Sequence, residues 1–425
     1  MKTYLFAAFT LLIIHLIDFK VNTLQAQTYD LLIKNGHVID PRNKIDAPLD
    51  VAVKDGKIAR VAKNIAAAEA KKMVDAKGLF VTPGLLDIHG HHFHGTVPDR
   101  YLSNSFTALP PDGFTFPAGV TTAVDAGGAG WSNFLLFKEQ VIDRSDTRLL
   151  AFINIVGEGM RGVVPYEQNL NDLDPKMTAL VAKQYPEIVG IKIAHYRDHD
   201  WEPYRRAVEA GKAAGIPVMV DLGGAEPALL LEPLFNEILR PGDILTHMYG
   251  RDYSGHGPKE SALDSNGKIK SYWLRAQERG LIFDVGHGGG SFYYDVAVPA
   301  TKQGLWPNTI STDLHTGSMN GGMKNMLNVV SKMMNLGMSL PAVINASTWK
   351  PAQVIQREDL GHLSEGAEAD IAVFRLLEGN FGFLDSEGQL NPGKRKLETE
   401  LTIRAGKVVW DLNGIASTPW DQAKK

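Results

Sequence analysis

Apolar and polar positions follow two different rhythms along this chain. Near its start, "DLLIKNGHVIDP" and "LDVAVKDGKIARVAKN" alternate apolar with polar residues and are punctuated by "NG" and "DG". That period of two, with those dipeptides, predicts short strands separated by tight turns. The far end behaves alike: "ADIAVFRL" and "ETELTIRAGKVVWDLNG" alternate and turn on "AG". Two β-rich ends bracketing a longer middle predict that the termini meet in one small β-sandwich domain, over 28–80 and 364–425.

The middle, 81–363, has the other rhythm. Eight short β-branched runs recur: "LFVTPGLLDIH", "VTTAVDAGG", "RLLAFINIV", "EIVGIKIA", "IPVMVDLGG", "DILTHMYG", "LIFDVGHGGG" and "TISTDLH". Helical stretches such as "WEPYRRAVEAGKAAG" and "EPALLLEPLFNEILRPG" lie between many of them. Continuous apolar strands alternating with helices predict a parallel sheet covered on its outer face. Eight such units predict an α/β fold of the (β/α)8 TIM-barrel type, in which catalytic groups sit at the C-terminal ends of the strands.

The polar residues follow that geometry. His89 and His91 follow the first run, Asp125 ends the second, and Lys192 lies in the fourth. Asp221, His247, His287 and Asp313 end the fifth to eighth. A sheet built for stability alone would avoid them, because a buried unpaired charge costs several kcal/mol. The sharpest cluster is "DIHGHHFHG", Asp87 to Gly95. His89 and His91, two apart, project from the same face of a strand. Two adjacent imidazoles, with Asp87 beside them and Asp313 and His247 opposite, predict a metal site. His92 faces the other way. His94 falls in the loop beyond, either on the substrate rim or as an ordinary loop residue.

Composition narrows the setting. The chain has 425 residues, 44% hydrophobic and 22% charged, with a formal net charge of −4 and no basic run. Nucleic acid and anionic membrane are therefore not expected partners. With no cysteine, neither disulfides nor a thiolate metal site is available. At the N-terminus, Lys2 precedes an apolar run from Leu5 to Ile17, followed by "VNTLQAQ". That layout predicts a signal peptide over 1–27 and an exported, periplasmic or secreted protein with no membrane association after cleavage; the alternative is a retained N-terminal anchor.

Lys192, within "GIKIA", needs a different account. Burial disfavours an ammonium, and a neutral amine can take up carbon dioxide to form a carbamate whose two oxygens bridge two divalent ions. The alternative is a lysine reaching the strand end with its charge in solvent. Glycine patterns such as "GHGGG" lack the strand–turn–helix setting that dinucleotide binding requires.

With "VTPGLLDIHGHH", "GIKI", "DILTHMYG" and "ISTDLH" in this order, the chain resembles the amidohydrolase superfamily of metal-dependent hydrolases. "LIFDVGHGGGSF" and "ISTDLHTGSMN", followed by "SKMMNLGMSL" and "PAQVI", look closer to its deacetylase branch, related to dihydroorotases. "LGHLSEGAEADIAVF" is similar to the superfamily's closing strand. The resemblance runs from Tyr29 to Gly414. It implies that His89, His91 and Asp313 bind a first metal, usually zinc. Lys192, carboxylated by CO2, would bridge to a second metal held by His247. The fifth strand normally offers a histidine, but this chain has Asp221. A carboxylate is a competent zinc ligand, although it adds negative charge and is harder than imidazole. The site could keep two ions, favour Mn2+ over Zn2+, or work with one, and Asp221 could be a ligand or stand behind one.

The expected chemistry is hydrolysis of an ester or amide of a small molecule, removing an acetyl or similar acyl group. A metal lowers the pKa of bound water from about 16 toward 7, and Asp313 would act as general base and then hand the proton to the leaving group. His287, in its glycine-rich turn, is either a donor to substrate or a loop histidine. "HYRDHD", 195–200, could coordinate an ion, but clustered polar residues after a strand read first as a solvated loop; alternatively it lies on the substrate rim, where Arg197 could meet a carboxylate. Two other functions are compatible: cyclic-amide hydrolysis, as in dihydroorotases, and a degenerate, non-catalytic relative. Export argues against cytoplasmic pyrimidine synthesis. Homo-oligomerisation is left open.

Overall fold

The computed structural model describes residues 27–95, 107–160, 167–251, 253–254 and 257–422. The expected signal peptide lies, but for residue 27, outside the described residues.

In chain order the strands are β1 (Tyr29–Asp40), β2 (Ile45–Lys54), β3 (Lys57–Ala62), β4 (Ala70–Asp75), β5 (Phe80–Pro83), β6 (Leu85–Gly90), β7 (Val120–Gly130), β8 (Arg148–Asn154) and β9 (Ile188–Ala194). Then come β10 (Val218–Asp221), β11 (Ile244–Leu245), β12 (Tyr253–Ser254), β13 (Gly257–Pro258), β14 (Ile282–Phe283), β15 (Ile371–Leu384), β16 (Leu390–Arg404) and β17 (Lys407–Asp411). The two ends of the chain join in one eight-stranded sheet, ordered β17-β16-β15-β5-β1-β2-β3, with β4 also paired to β1.

Two turn signals resolve differently. "DG" makes the β2–β3 hairpin, with Asp55 and Gly56 both at positive φ. "NG" makes no turn between strands. It forms a bulge inside β1, where the register with β2 shifts between Ile33 and Gly36. The reason is contact: a Cβ on Gly36 would stand 2.4 Å from a methyl of Val81, so the strand needs glycine there to lie against β5.

The first apolar run of the middle also divides. "LFVTP" supplies β5 to the terminal sheet, pairing antiparallel with β15, whereas "LLDIHG" supplies β6 to the second sheet. The break is Gly84, where a Cβ would fall 2.2 Å from Thr121 Oγ1. The expected domain boundary at 80/81 therefore moves past β5.

The second sheet is parallel, curled and seven-stranded, ordered β14-β11-β10-β9-β8-β7-β6. Residues 309–314 run between its two edges. Thr309 bridges Asp284 and Leu314 bridges Gly90, both in parallel sense, and Val285 N–H donates to Thr309 O while His91 N–H donates to Leu314 O. Because all strands point one way, their C-terminal ends face the same side. On β10, β11 and β14, Met219, Ile244 and Ile282 join a buried apolar cluster with Phe152 and Val189, closed by Ala352, Val354 and Ile355. Two residues further on, at the end of β10 and just past β11 and β14, stand Asp221, Thr246 and Asp284, all buried. The period of two thus carries one face from apolar support to polar chemistry. Helices such as Glu202–Ala214, which ends on left-handed Gly215, cover the outer face.

Candidate metal centre

Six residues predicted as metal ligands converge at the C-terminal side of the curled sheet. His91 Nε2 lies 2.9 Å from Asp313 Oδ1, and His89 Nε2 lies 3.5 Å from the same oxygen. Lys192 Nζ is 3.2 Å from His89 Nε2 and 3.5 Å from Asp221 Oδ2. His247 Nε2 is 3.3 Å from Asp221 Oδ2. Two sets of donor atoms, His89/His91/Asp313 and His89/Asp221/His247, each fall within 4.8 Å of one another. All six residues are buried or nearly so, Lys192 completely.

The neighbouring hydrogen bonds fix which ring nitrogen faces the centre. Thr246 Oγ1 donates to Asp284 Oδ2 at 2.8 Å, because a carboxylate accepts only. The same hydroxyl lies 2.9 Å from His89 Nδ1, so it accepts from Nδ1–H and leaves a lone pair on Nε2. His247 Nδ1 lies 2.5 Å from the carbonyl oxygen of Gly286; a carbonyl accepts, so Nδ1 carries the proton here too. Such outer contacts orient metal-binding imidazoles. Asp284 also accepts from Thr309 and Ser311. Asp87 accepts from Thr312 N–H and Oγ1 and from His89 N–H, tying β6 to the closing segment.

Electrostatics agree. Burial would raise the Asp313 carboxyl, but His89, His315 and His91 hold it well below the usual carboxylate range. Burial would likewise raise Asp221, which His247, Lys192, Lys259 and His195 keep well below that range. Burial, helped by Lys192, lowers His89 to about 4, so its ring is neutral at pH 7. Imidazole nitrogens and carboxylate oxygens converging in this way suit a divalent ion such as zinc. His247 Nε2 and Asp221 Oδ2 face each other at 3.3 Å, as two ligands of one ion would. The donor set fits a metal.

Positions with left-handed backbone gather here. His195, His247 and Asp313 have φ of 55°, 62° and 51°. Non-glycine residues adopt this region uncommonly, and functional sites are where such strain collects. Asp313 is backed by Gly288, also left-handed, where a Cβ would stand 2.3 Å from Asp313 Oδ2.

Other expected residues lie elsewhere. Both ring nitrogens of His287 are occupied, Nδ1 by Gly288 O at 2.9 Å and Nε2 by Lys332 Nζ at 2.6 Å, and its ring stacks on Phe292. It supports its loop and presents no ring atom to a substrate. Arg197 is exposed, with its backbone N–H bonded to Gln168, and does not join the cluster. His94 is half-buried, with its N–H on His92 O. Asp125 accepts from the N–H groups of His92, Phe93 and Gly128 and so shapes the loop after β6. A cavity of about 460 Å³ opens beside Arg240, Asp243 and Lys350, and none of the converging residues lines it.

The first part of the loop read as solvated is not. His195 is buried, its Nδ1 3.2 and 3.1 Å from the two Glu167 oxygens and its Nε2 3.4 Å from Asp221 Oδ2. Burial disfavours its imidazolium, but Asp221 and Glu167 outweigh that and push its pKa up to about 9. Lys259 Nζ stands 3.6 Å from Asp221 Oδ1. Sequence reading missed Glu167, Thr246, Lys259 and Asp284, which no spacing rule singles out.

Comparison with known proteins gives a consistent picture. A family model described as the amidohydrolase family matches residues 301–409. A deacetylase of Brucella anthropi is 32% identical over 372 residues, covering 86% of this chain and 88% of the relative. Among solved structures, an adenine deaminase is similar with a TM-score of 0.80 at 28% identity, covering 90% of this chain and 100% of the other. A dihydroorotase structure has a TM-score of 0.76 at 29% identity, covering 90% and 99%.

Proposed function

Because the chain belongs to the amidohydrolase superfamily and is a hydrolytic enzyme, we propose that it is a metal-dependent hydrolase removing an acyl group, chiefly acetyl, from a small-molecule ester or amide. The observation that carries this is the pair of overlapping donor sets around Lys192, both sharing His89. The reading includes a (β/α)8 barrel closed through residues 309–314, with the terminal sheet curling over its own apolar core as the small sandwich. In support, that core draws on β1, β2, β4, β5, β15 and β16 together.

His89, His91 and Asp313 would hold one divalent ion, most simply Zn2+ with Mn2+ as the alternative; Asp221 and His247 would hold the second. Lys192 lies between the sets. Attack of its Nζ on carbon dioxide would form one N–C bond at the expense of one C–O π bond, release one proton and leave an anionic carbamate whose oxygens could serve as ligands. Ions held there supply a water acidified toward neutrality and a Lewis acid for the scissile carbonyl.

The chain's own residues do the rest. Asp313 turns Oδ1 toward His91 and His89. Its Oδ2 faces His315 Nε2, 3.8 Å away, and the bare Cα of Gly288. Oδ2 is therefore the oxygen placed to take a proton from the attacking water and return it to the leaving atom. Thr246 and Gly286 keep the protons of His89 and His247 on Nδ1, so both Nε2 atoms stay available as ligands.

The deacetylase name of the Brucella relative favours acyl removal. The dihydroorotase structure keeps cyclic-amide hydrolysis as the second reading. The N-terminal pattern supports export, to be tested by the intact mass of protein recovered outside the cytoplasm: loss of the leader supports it, and an unprocessed cytoplasmic chain rejects it. For the activity itself, chelated protein is resupplied with zinc and bicarbonate, then assayed on acylated amino acids, acylated hydroxy acids and cyclic amides in parallel. Turnover of an acylated substrate that vanishes with chelation is expected. Metal-independent turnover, or no bound metal, sinks the proposal.

A further inference from the structure

Asp221 gathers its neighbours at a spacing that hydrogen bonding does not explain. Its Oδ2 lies 3.3 Å from His247 Nε2, 3.4 Å from His195 Nε2 and 3.5 Å from Lys192 Nζ. A charge-assisted hydrogen bond would bring such pairs to about 2.7–2.9 Å, and all three stop short of that. Ligands arranged tetrahedrally at about 2.0–2.1 Å from zinc are separated by about 3.3–3.4 Å. His195 takes part in this spacing on the same terms as His247.

Two further features set His195 apart from a structural histidine. Both oxygens of buried Glu167 sit at its Nδ1, 3.2 and 3.1 Å away. Those acceptors hold a proton on Nδ1 and turn Nε2 toward Asp221 Oδ2, so that an ion entering there would replace the Nε2 proton; this carboxylate–histidine arrangement serves metal ligands. The backbone is also held for the purpose. His195 N–H donates to Asp221 O at 3.2 Å, its carbonyl accepts from Gln168 Nε2 at 2.8 Å, and its φ of 55° turns the side chain back over the end of β9. His247 and Asp313 use the same left-handed device.

We propose that His195 is a ligand of the second ion, beside Asp221 and His247, with Glu167 as the group that orients it. The inference rests on the metal-centre reading above and deepens it. It also accounts for the aspartate where the family resemblance calls for histidine: an imidazole still arrives, from the end of β9 instead of β10. The added negative charge of Asp221 is met by Lys259, 3.6 Å from its other oxygen.

Zinc titration of apo-protein in bicarbonate, followed by metal analysis, tests this on wild type, His195→Gln and Glu167→Gln. Wild type should take up two ions. His195→Gln should keep the first and bind the second about 10- to 100-fold more weakly, with Glu167→Gln falling between. Anomalous diffraction at the zinc edge from wild-type crystals should place the second ion within bonding distance of His195 Nε2, which decides the matter even if a variant misfolds. Two ions in wild type with His195 bound to neither overturns this inference and leaves the hydrolase reading intact. A single ion, held by His89, His91 and Asp313, does the same. No ion at all overturns the metal centre itself.

Discussion

His91 Nε2 lies 2.9 Å from Asp313 Oδ1, a contact that joins β6 to the closing segment across 222 residues of chain. It leaves Oδ2 as the oxygen free to carry a proton. Asp313→Asn should therefore reduce kcat by about 10²- to 10⁴-fold, the usual worth of a general acid–base group. The amide is nearly isosteric, so circular dichroism and thermal midpoint should change little. A variant with wild-type turnover would remove Asp313 from the proton path.

Thr246 makes a different prediction because it touches no substrate. Its hydroxyl sits between His89 Nδ1 and Asp284 Oδ2, and removing it frees the His89 ring to flip or change tautomer. Thr246→Val should weaken metal affinity by about 10- to 100-fold, measured by chelator competition, while Thr246→Ser should restore it. Equal affinity in both variants would show that His89 is held by packing alone.

What the sequence made legible follows from local rules. His89 and His91 could be paired because strand alternation fixes their common face, and Asp313 because it ends an apolar run. His195 could be read only as part of a polar segment able to coordinate an ion, and its place could not be read, for the opposite reason. Two residues lie between it and Lys192 on β9's outgoing end, and a left-handed turn brings it back over the strand. Polar residues after a strand ordinarily point to solvent, as Arg197 does. Thr246 and Asp284 are set by cross-strand register, which no single segment encodes. The "NG" bulge and the division of the first apolar run at Gly84 likewise depend on contacts with Val81 and Thr121.

Gly288 backs the proton-carrying oxygen of Asp313 and has φ of 55°. Gly288→Ala would place a Cβ 2.3 Å from Oδ2 and impose about 1–3 kcal/mol of backbone strain. Asp313 would have to move, so kcat should fall with KM little affected, alongside a lowered thermal midpoint. Unchanged kcat would mean that the loop yields and the close approach is incidental.

Lys332 provides a pH-dependent signature away from the metal ligands. Its ammonium is buried, Nζ bonding His287 Nε2 and the Gly322 carbonyl, both at 2.6 Å. Burial lowers its pKa from 10.5 to about 7. Between those values the unfolded chain binds the proton and the folded chain does not, so stability rises with pH across that window. Below about pH 7 both states are charged and the burial penalty is fully present. Lys332→Met should lower stability near pH 10, where the neutral amine serves His287 and Gly322, yet flatten the rise in thermal midpoint between pH 7 and 10. Metal-free protein is the right sample, since metal binding adds its own pH dependence. If the variant keeps the wild-type slope, another group titrates in that window and Lys332 is charged throughout.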